Sequence, residues 1–157
     1  MNQNPIWRTM NDETHMTRCY EDALRKAGVK VTRQRLEIIR EVVLAKGHPS
    51  IGEVYEAVRV RMPSISLDTV YRTMRTLAAM GMIHPVGSSG ERVRFDADQT
   101  PHHHFLCSIC GEAYDFVCPE LDAIPVPEQA QALGLVRGSR IEVRGVCRKC
   151  LEKEREE

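Results

Sequence analysis

Apolar residues in the first half of the chain recur every three or four positions, which predicts a series of amphipathic helices. The first two helices end at Gly28 and Gly47, because glycine commonly terminates a helix. Their predicted apolar faces are Met16, Tyr20, Ala23, Leu24 and Ala27, then Leu36, Ile39 and Val43 after Thr32. A third helix begins with a capping-box pattern, Ser50 with Glu53, and ends before Pro63. Its apolar positions are Ile51, Val54, Tyr55, Val58 and Met62.

A fourth predicted helix lies between a cap at Ser66 and a stop at Gly81, with Leu67, Val70, Met74 and Leu77 on its apolar face. Its other face carries side chains that can bind DNA phosphates or base edges, namely Thr69, Tyr71, Arg72, Arg75 and Thr76. The segments MIHPV and RVRFD, joined by GSSG, predict a β-hairpin. This pattern fits a winged helix-turn-helix DNA-binding domain and fits equally a plain helical bundle with solvated arginines.

The composition is that of a folded globular protein. The 157 residues are 42% hydrophobic and 28% charged, which suits one domain or two small ones and excludes disordered, collagen-like and disulfide-dense proteins. No apolar run approaches the roughly 20 residues that cross a bilayer, and the N-terminus lacks a signal-peptide pattern. We therefore expect a cytoplasmic protein with no membrane partner.

The net charge of zero conceals an asymmetry between the two halves of the chain. Residues 14–94 hold 14 Lys and Arg against 8 Asp and Glu, whereas residues 95–157 hold 7 against 12. This division predicts two modules. The basic module is the candidate for a polyanionic partner, because binding a phosphate backbone releases counterions.

Four cysteines in the acidic half form two matched pairs, Cys107 with Cys110 and Cys147 with Cys150. Two such turns brought together supply the four thiolates of a tetrahedral structural zinc site. Disulfides and a thioredoxin-like redox pair are the alternatives, but the absent secretory signal and the second Cys-x-x-Cys pair favour zinc. The two remaining cysteines, Cys19 and Cys118, are interpreted as packing thiols.

A second group of candidate ligands contains imidazoles and carboxylates. His102 and His104 flank His103, and in an extended segment the outer two point to the same face. The other members are His48, Asp96 and Asp115. Three imidazoles with two carboxylates suit ferrous iron or manganese.

These motifs together resemble the ferric uptake regulator (Fur) family of bacterial metal-dependent repressors. The resemblance runs from about Thr32 to Cys150 and includes VTRQRLEII, HPSIGEVYEAV, SISLDTVYRTMRTLAAMGMI, RFD, the histidine run with CSICG, and GVCRKC. It implies an α+β protein: an N-terminal extension (1–13), a winged helix-turn-helix domain (14–95) and a small α/β dimerisation domain with the four-cysteine zinc site (96–157). It also implies a homodimer that binds a palindromic double-stranded DNA operator.

Within the family, the chain resembles the peroxide-responsive repressors (PerR) most. Asp115 stands where iron-uptake members generally have Glu, and the spacings of the other ligands match the PerR regulatory site. Pro101 and Ser139 replace two histidines of a further metal site found in many iron-uptake members, so that site is not expected. No Cys enters the regulatory set, unlike in zinc-uptake regulators.

The resemblance implies a repressor and not an enzyme. An Fe(II) or Mn(II) ion held by His48, Asp96, His102, His104 and Asp115 would enable DNA binding, and peroxide would oxidise His102 or His48 and release the operator. The alternative within the family is an iron-responsive repressor. A small metallohydrolase is a further alternative, but the chain has no HExxH-type motif and no obvious general base beyond the ligands. A zinc-ribbon interaction module would leave His48, Asp96 and the basic helix unexplained.

Overall fold

The computed structural model describes residues 13–45, 47–87, 93–136 and 138–156. The chain forms two compact units, which meet in the sequence between Thr100 and Pro101. The expected boundaries after residues 13 and 95 stay a prediction. Among the described helices, none is both long enough and apolar enough to span a bilayer.

The N-terminal unit contains the four helices that the apolar pattern predicts. They are α1 (Glu13–Lys26), α2 (Arg33–Leu44), α3 (Ile51–Arg61) and α4 (Leu67–Ala79). Each of the last three begins at a hydroxyl side chain that accepts a hydrogen bond from the backbone three residues on; these caps are Thr32, Ser50 and Ser66. Gly28 and Gly81, which follow α1 and α4, both have φ of 70°, a conformation that glycine adopts without strain.

The buried faces of α1, α2 and α4 differ from the prediction. Ala27, predicted on the apolar face of the first helix, is exposed and follows the end of α1. Helix α2 buries Ile38, Ile39 and Val42, whereas Leu36 and Val43 are only partly buried. Adjacent apolar residues such as Ile38 and Ile39 leave the helical period ambiguous, and packing against both α3 and α4 decides which face is buried. Leu67 is 51% exposed, because the side chain of the first helical residue leans toward the N-terminus, away from the core.

The predicted hairpin is confirmed as a pair of antiparallel strands, β1 (His84–Val86) and β2 (Arg94–Asp96). Its register places His84 opposite Asp96. Most of the GSSG connection, residues 88–90, lies outside the described residues. Phe95 points into the core formed by the four helices, so the hairpin is attached to the helices through an apolar contact.

The C-terminal unit is built around a three-stranded sheet, and the α+β class is confirmed. The strands are β3 (His103–Cys107), β4 (Ala113–Phe116) and β5 (Glu142–Gly145), in the order β4-β3-β5. Strand β4 is antiparallel to β3, and β5 is parallel to it. The helices of this unit are α5 (Pro119–Asp122), α6 (Glu128–Gln131) and α7 (Arg148–Glu156).

A polar bridge attaches the start of α3 to β2. The Glu53 carboxylate accepts from the backbone N–H of Ser50 at 2.7 Å and lies 3.1 Å from Arg94 Nη1. Arg94 Nη1 also donates to the backbone oxygen of His48 at 2.8 Å. Although partial burial opposes it, hydrogen bonding to Ser50 and the charge of Arg94 lower the pKa of Glu53. The bridge therefore holds the backbone of His48 beside β2.

We expect Glu53→Gln to make the N-terminal unit less sensitive to acid. A lowered carboxyl pKa stabilises the fold above the group's unfolded pKa, and this stabilisation is lost as the pH falls through the folded value. The parent should therefore lose about a few tenths of a kcal/mol more than the variant on acidification, since the Glu53 side chain is 55% exposed and solvent screens its charge. Urea unfolding at neutral and acidic pH measures this; equal acid sensitivity would contradict the role of Glu53.

Candidate metal sites and exposed face of helix α4

The four paired cysteines meet at one point in the C-terminal unit, and their ligand atoms all lie within 4.8 Å of one another. The sulfurs of Cys107 and Cys150 are 3.9 Å apart, and those of Cys110 and Cys147 are 3.8 Å apart. Four sulfurs placed about 2.3 Å from a central zinc form a tetrahedron with edges of about 3.8 Å. A disulfide needs sulfurs about 2.05 Å apart, so the geometry fits zinc and excludes disulfide pairing.

Backbone N–H groups prepare the first cysteine of each pair as a thiolate. Hydrogen bonds from the backbone N–H groups of Cys110 and Cys147 lower the pKa of Cys107 to about 6. The backbone N–H of Cys150 lowers the pKa of Cys147 in the same way. Desolvation raises the pKa of Cys110, and raises that of Cys150 to about 12. A divalent cation would balance this charge, because zinc binds cysteine as thiolate.

Tyr114 is a neighbour of this site that the sequence analysis missed. Its hydroxyl donates a hydrogen bond to the sulfur of Cys147, and this bond raises the pKa of Tyr114 to about 12. The tyrosine lies on β4 and packs with Phe105 of β3, with ring centroids 6.4 Å apart. Outer hydrogen bonds of this kind orient metal ligands. The strand assignment alone could not show that Tyr114 points toward the cysteines.

We predict that Cys150→Ser lowers the zinc content from one ion per chain to nearly none and destabilises the C-terminal unit. Tyr114→Phe should keep the zinc but release it faster to a chelator, because only the hydrogen bond to Cys147 is lost. Zinc release to a colorimetric chelator measures both effects. Cys118→Ser is the control, and a similar loss of zinc in that variant would contradict the four-cysteine site.

The outer two histidines of the histidine run face each other at the start of β3. Their Nε2 atoms are 3.0 Å apart, and both residues are buried. Asp115 on β4 pairs with His104 in the sheet register. Its Oδ1 lies 3.4 Å from Nε2 of His104 and 3.7 Å from Nε2 of His102. Two imidazoles and one carboxylate thus direct their donor atoms to one point within the C-terminal unit.

His48 and Asp96 come together in the N-terminal unit. Both are buried, and one ligand atom of each lies within 4.8 Å of the other. The polar bridge to Arg94 and the hydrogen bond from the Phe95 N–H to the Pro49 carbonyl at 3.0 Å hold the two segments together. Asp96 Oδ1 accepts from the backbone N–H of Asp98 at 2.7 Å, which fixes the carboxylate.

Tyr20 on α1 lies close enough to Asp96 to sense its charge. Burial, and secondly the charge of the Asp96 carboxylate, raise the pKa of Tyr20 to about 12. The apolar period along the sequence indicates only that Tyr20 lies on the apolar face of α1.

His103 points away from the other two histidines, as the alternation along a strand predicts. Its ring lies against Phe116, with centroids 5.5 Å apart, and its Nε2 is 3.3 Å from Asp122 Oδ1. Its Nδ1 accepts from the backbone N–H of Ile141 at 3.4 Å. His103 therefore holds β3, α5 and the segment before β5 together.

The interpretation of Cys19 as a packing thiol is wrong, because its side chain is exposed on α1. Consecutive residues of a helix point in directions about 100° apart, so the helix that turns Tyr20 toward the core turns Cys19 toward solvent. Cys118 is partly buried, and its thiol donates to Glu120 Oε2 at 3.2 Å. Among the described residues, neither cysteine belongs to a group of three or more candidate ligands.

The exposed face of α4 presents three of the five predicted DNA-binding residues. Tyr71, Arg72 and Arg75 are exposed, whereas Thr69 and Thr76 are partly buried. The hydroxyl of Thr69 lies 2.8 Å from that of Ser66, the helix cap. The prediction of this face omitted Asp68, which is exposed and lies 2.9 Å from Arg72 Nε.

Comparison with known proteins identifies relatives that match most of the chain. The model of the "Ferric uptake regulator family" matches residues 26–135. The peroxide-responsive repressor PerR of Staphylococcus epidermidis is 35% identical over 130 residues, which cover 83% of this chain and 87% of that protein. PerR of Staphylococcus aureus is 34% identical over 131 residues, covering 83% and 88%.

A solved structure has the same fold. The ferric uptake regulator of Helicobacter pylori superposes with a TM-score of 0.72 at 20% identity, covering 90% of this chain and 95% of that one. At that identity, the likeness concerns the winged-helix and dimerisation-domain architecture alone.

Proposed function

Because the chain belongs to the ferric uptake regulator family of metal-responsive repressors, we propose that it senses hydrogen peroxide through oxidation of a histidine ligand. It represses transcription in the cytoplasm as a homodimer bound to a palindromic operator and is not an enzyme. The observation that carries the proposal is the convergence of His102, His104 and Asp115 in one unit, together with the His48–Asp96 pair in the other.

Two kinds of metal ion fit the two ligand sets. The four thiols suit a structural zinc ion, as their sulfur spacing and the lowered pKa values of Cys107 and Cys147 indicate. The imidazole and carboxylate set suits Fe(II) or Mn(II), which prefer nitrogen and oxygen ligands. The proposed regulatory ligands are His48, Asp96, His102, His104 and Asp115.

One ion taking ligands from both units would act as a switch. The three ligands of the C-terminal unit alone would leave about three positions of a six-coordinate Mn(II) to water, whereas the two ligands of the N-terminal unit would raise the number of protein ligands to five. If the ion binds the DNA-binding arrangement a hundredfold more tightly than others, it favours that arrangement by about 2.7 kcal/mol. The winged-helix units of a dimer would then hold their α4 helices at the spacing of successive major grooves, about 34 Å.

Two observations support peroxide sensing: the candidate ligands are imidazoles and carboxylates that suit Fe(II), and two similar proteins are peroxide-responsive repressors. With Fe(II) bound, one oxygen atom of hydrogen peroxide would add to a ligand imidazole and the other would leave as water; His102 and His48 are the proposed targets. The buried ring of His102 is held edge-on to His104, with centroids 4.6 Å apart, so it cannot turn away from the site without unpacking. Oxidation makes the ring a poorer ligand, which weakens the hold on the ion and releases the operator.

Mass spectrometry of iron-loaded protein after peroxide exposure tests this function. We expect a gain of about 16 Da, the mass of one added oxygen atom, on His102 or His48, with loss of affinity for a DNA duplex selected in the presence of Mn(II). His103 serves as the internal control, because it lies in the same segment but faces away. Mn(II)-loaded protein should resist oxidation and keep its affinity for DNA. Oxidation confined to Cys or Met would instead favour an iron-responsive repressor.

Replacing Asp115 with Glu should separate metal binding from peroxide sensing. Glu keeps the carboxylate but lengthens the side chain opposite His104, which shifts the oxygen relative to both imidazoles. We predict that the variant keeps Mn(II)-dependent DNA binding, measured by gel shift, while its histidine oxidation falls severalfold. An unchanged oxidation yield would count against the proposed role of Asp115.

A further inference from the structure

The exposed face of α4 includes an acidic residue that opposes DNA binding. Asp68, Tyr71, Arg72 and Arg75 lie at positions i, i+3, i+4 and i+7, so they form one stripe along the helix. All four are exposed. A negative charge near DNA phosphates weakens the attraction that provides most non-specific affinity. Asp68 therefore lowers affinity for DNA unless it has another role in the stripe.

Asp68 holds one side of the Arg72 guanidinium. Its Oδ2 lies 2.9 Å from Arg72 Nε, and the two side chains are 67% and 78% exposed. The acid precedes the arginine by four residues, which is the favourable order on a helix. An exposed pair of this kind contributes little to stability. The pair is therefore better explained by what it does to the arginine than by what it adds to the fold.

The two arginines of the stripe are held differently. The guanidinium of Arg75 lies over the ring of Tyr71, 5.9 Å from its centroid, and has no acidic partner in the described part of the chain. Arg72 is paired through Nε, so its two terminal nitrogens remain as parallel donors. Two parallel donors match the O6 and N7 acceptors of guanine in the major groove.

We propose that Asp68 is a positioning residue that aims Arg72 at a guanine and so sets the base specificity of α4. The inference rests on the proposed function, because it requires α4 to enter the major groove. Pairing through Nε restricts the arginine rotamers before binding, so less conformational entropy is lost when the contact to guanine forms. Asp68 also weakens binding to other DNA sequences. If Arg72 turned away to contact a phosphate, the Asp68 carboxylate would be left unpaired near the negatively charged DNA backbone.

Selection from a random duplex library with Mn(II)-loaded full chain tests the proposal. The parent, Asp68→Asn, Arg72→Ala and the double variant are compared. Arg72→Ala should abolish a guanine preference at one base pair of each half-site. Asp68→Asn should weaken that same preference by about three- to tenfold and raise affinity for unselected duplex. In the Arg72→Ala background, Asp68→Asn should change nothing further at that base pair.

Glu56→Gln is the matched control. Glu56 pairs with Arg59 on α3 at 3.0 Å, so this variant removes the same charge outside the stripe and should leave the selected sequence unchanged. Two results would overturn the inference alone: a guanine preference unaffected by Asp68→Asn, or an effect at a different base pair, which would mean that Asp68 contacts a base itself. If the loaded parent selects no sequence, both this inference and the proposed function fail.

Discussion

The proposed function depends on one divalent cation taking ligands from both units of the chain, because only such an ion links the two units when it binds. The N-terminal unit holds two candidate ligands, His48 and Asp96, both buried and fixed by hydrogen bonds of neighbouring segments. The C-terminal unit holds His102, His104 and Asp115, whose donor atoms already converge. The candidate ligands of each unit are positioned by contacts within that unit, so the proposed ion would link the two units rather than order the ligands.

Strand β3 connects the proposed sensing ligands to the zinc scaffold. His104 and Cys107 lie on the same strand three residues apart, a distance of about 10 Å. The four cysteines attach β3 to the segment after β5 and to the start of α7. Tight zinc at one end of β3 would therefore keep the histidines at the other end in register with Asp115 on β4. In the proposed function, the zinc ion would have a structural role and the second ion a regulatory one.

The sequence predicted the elements better than it predicted their contacts. Capping residues such as Ser50 and stop signals such as Gly28 act locally, so the helices follow from neighbouring residues alone. The four-cysteine group was also predictable, because each Cys-x-x-Cys turn places its ligands locally. By contrast, the exposure of Cys19 and the buried face of α2 depend on which helices pack together. The Tyr114 hydrogen bond and the Asp68–Arg72 pair depend on side-chain direction, which periodicity does not specify.

Anomalous diffraction at the manganese edge from crystals of Mn(II)-loaded protein tests the central claim most directly. The account predicts one manganese peak per chain, coordinated by His48 and Asp96 of the N-terminal unit together with His102, His104 and Asp115 of the C-terminal unit. A peak whose protein ligands all come from a single unit, or separate ions at the two partial sites, would contradict it.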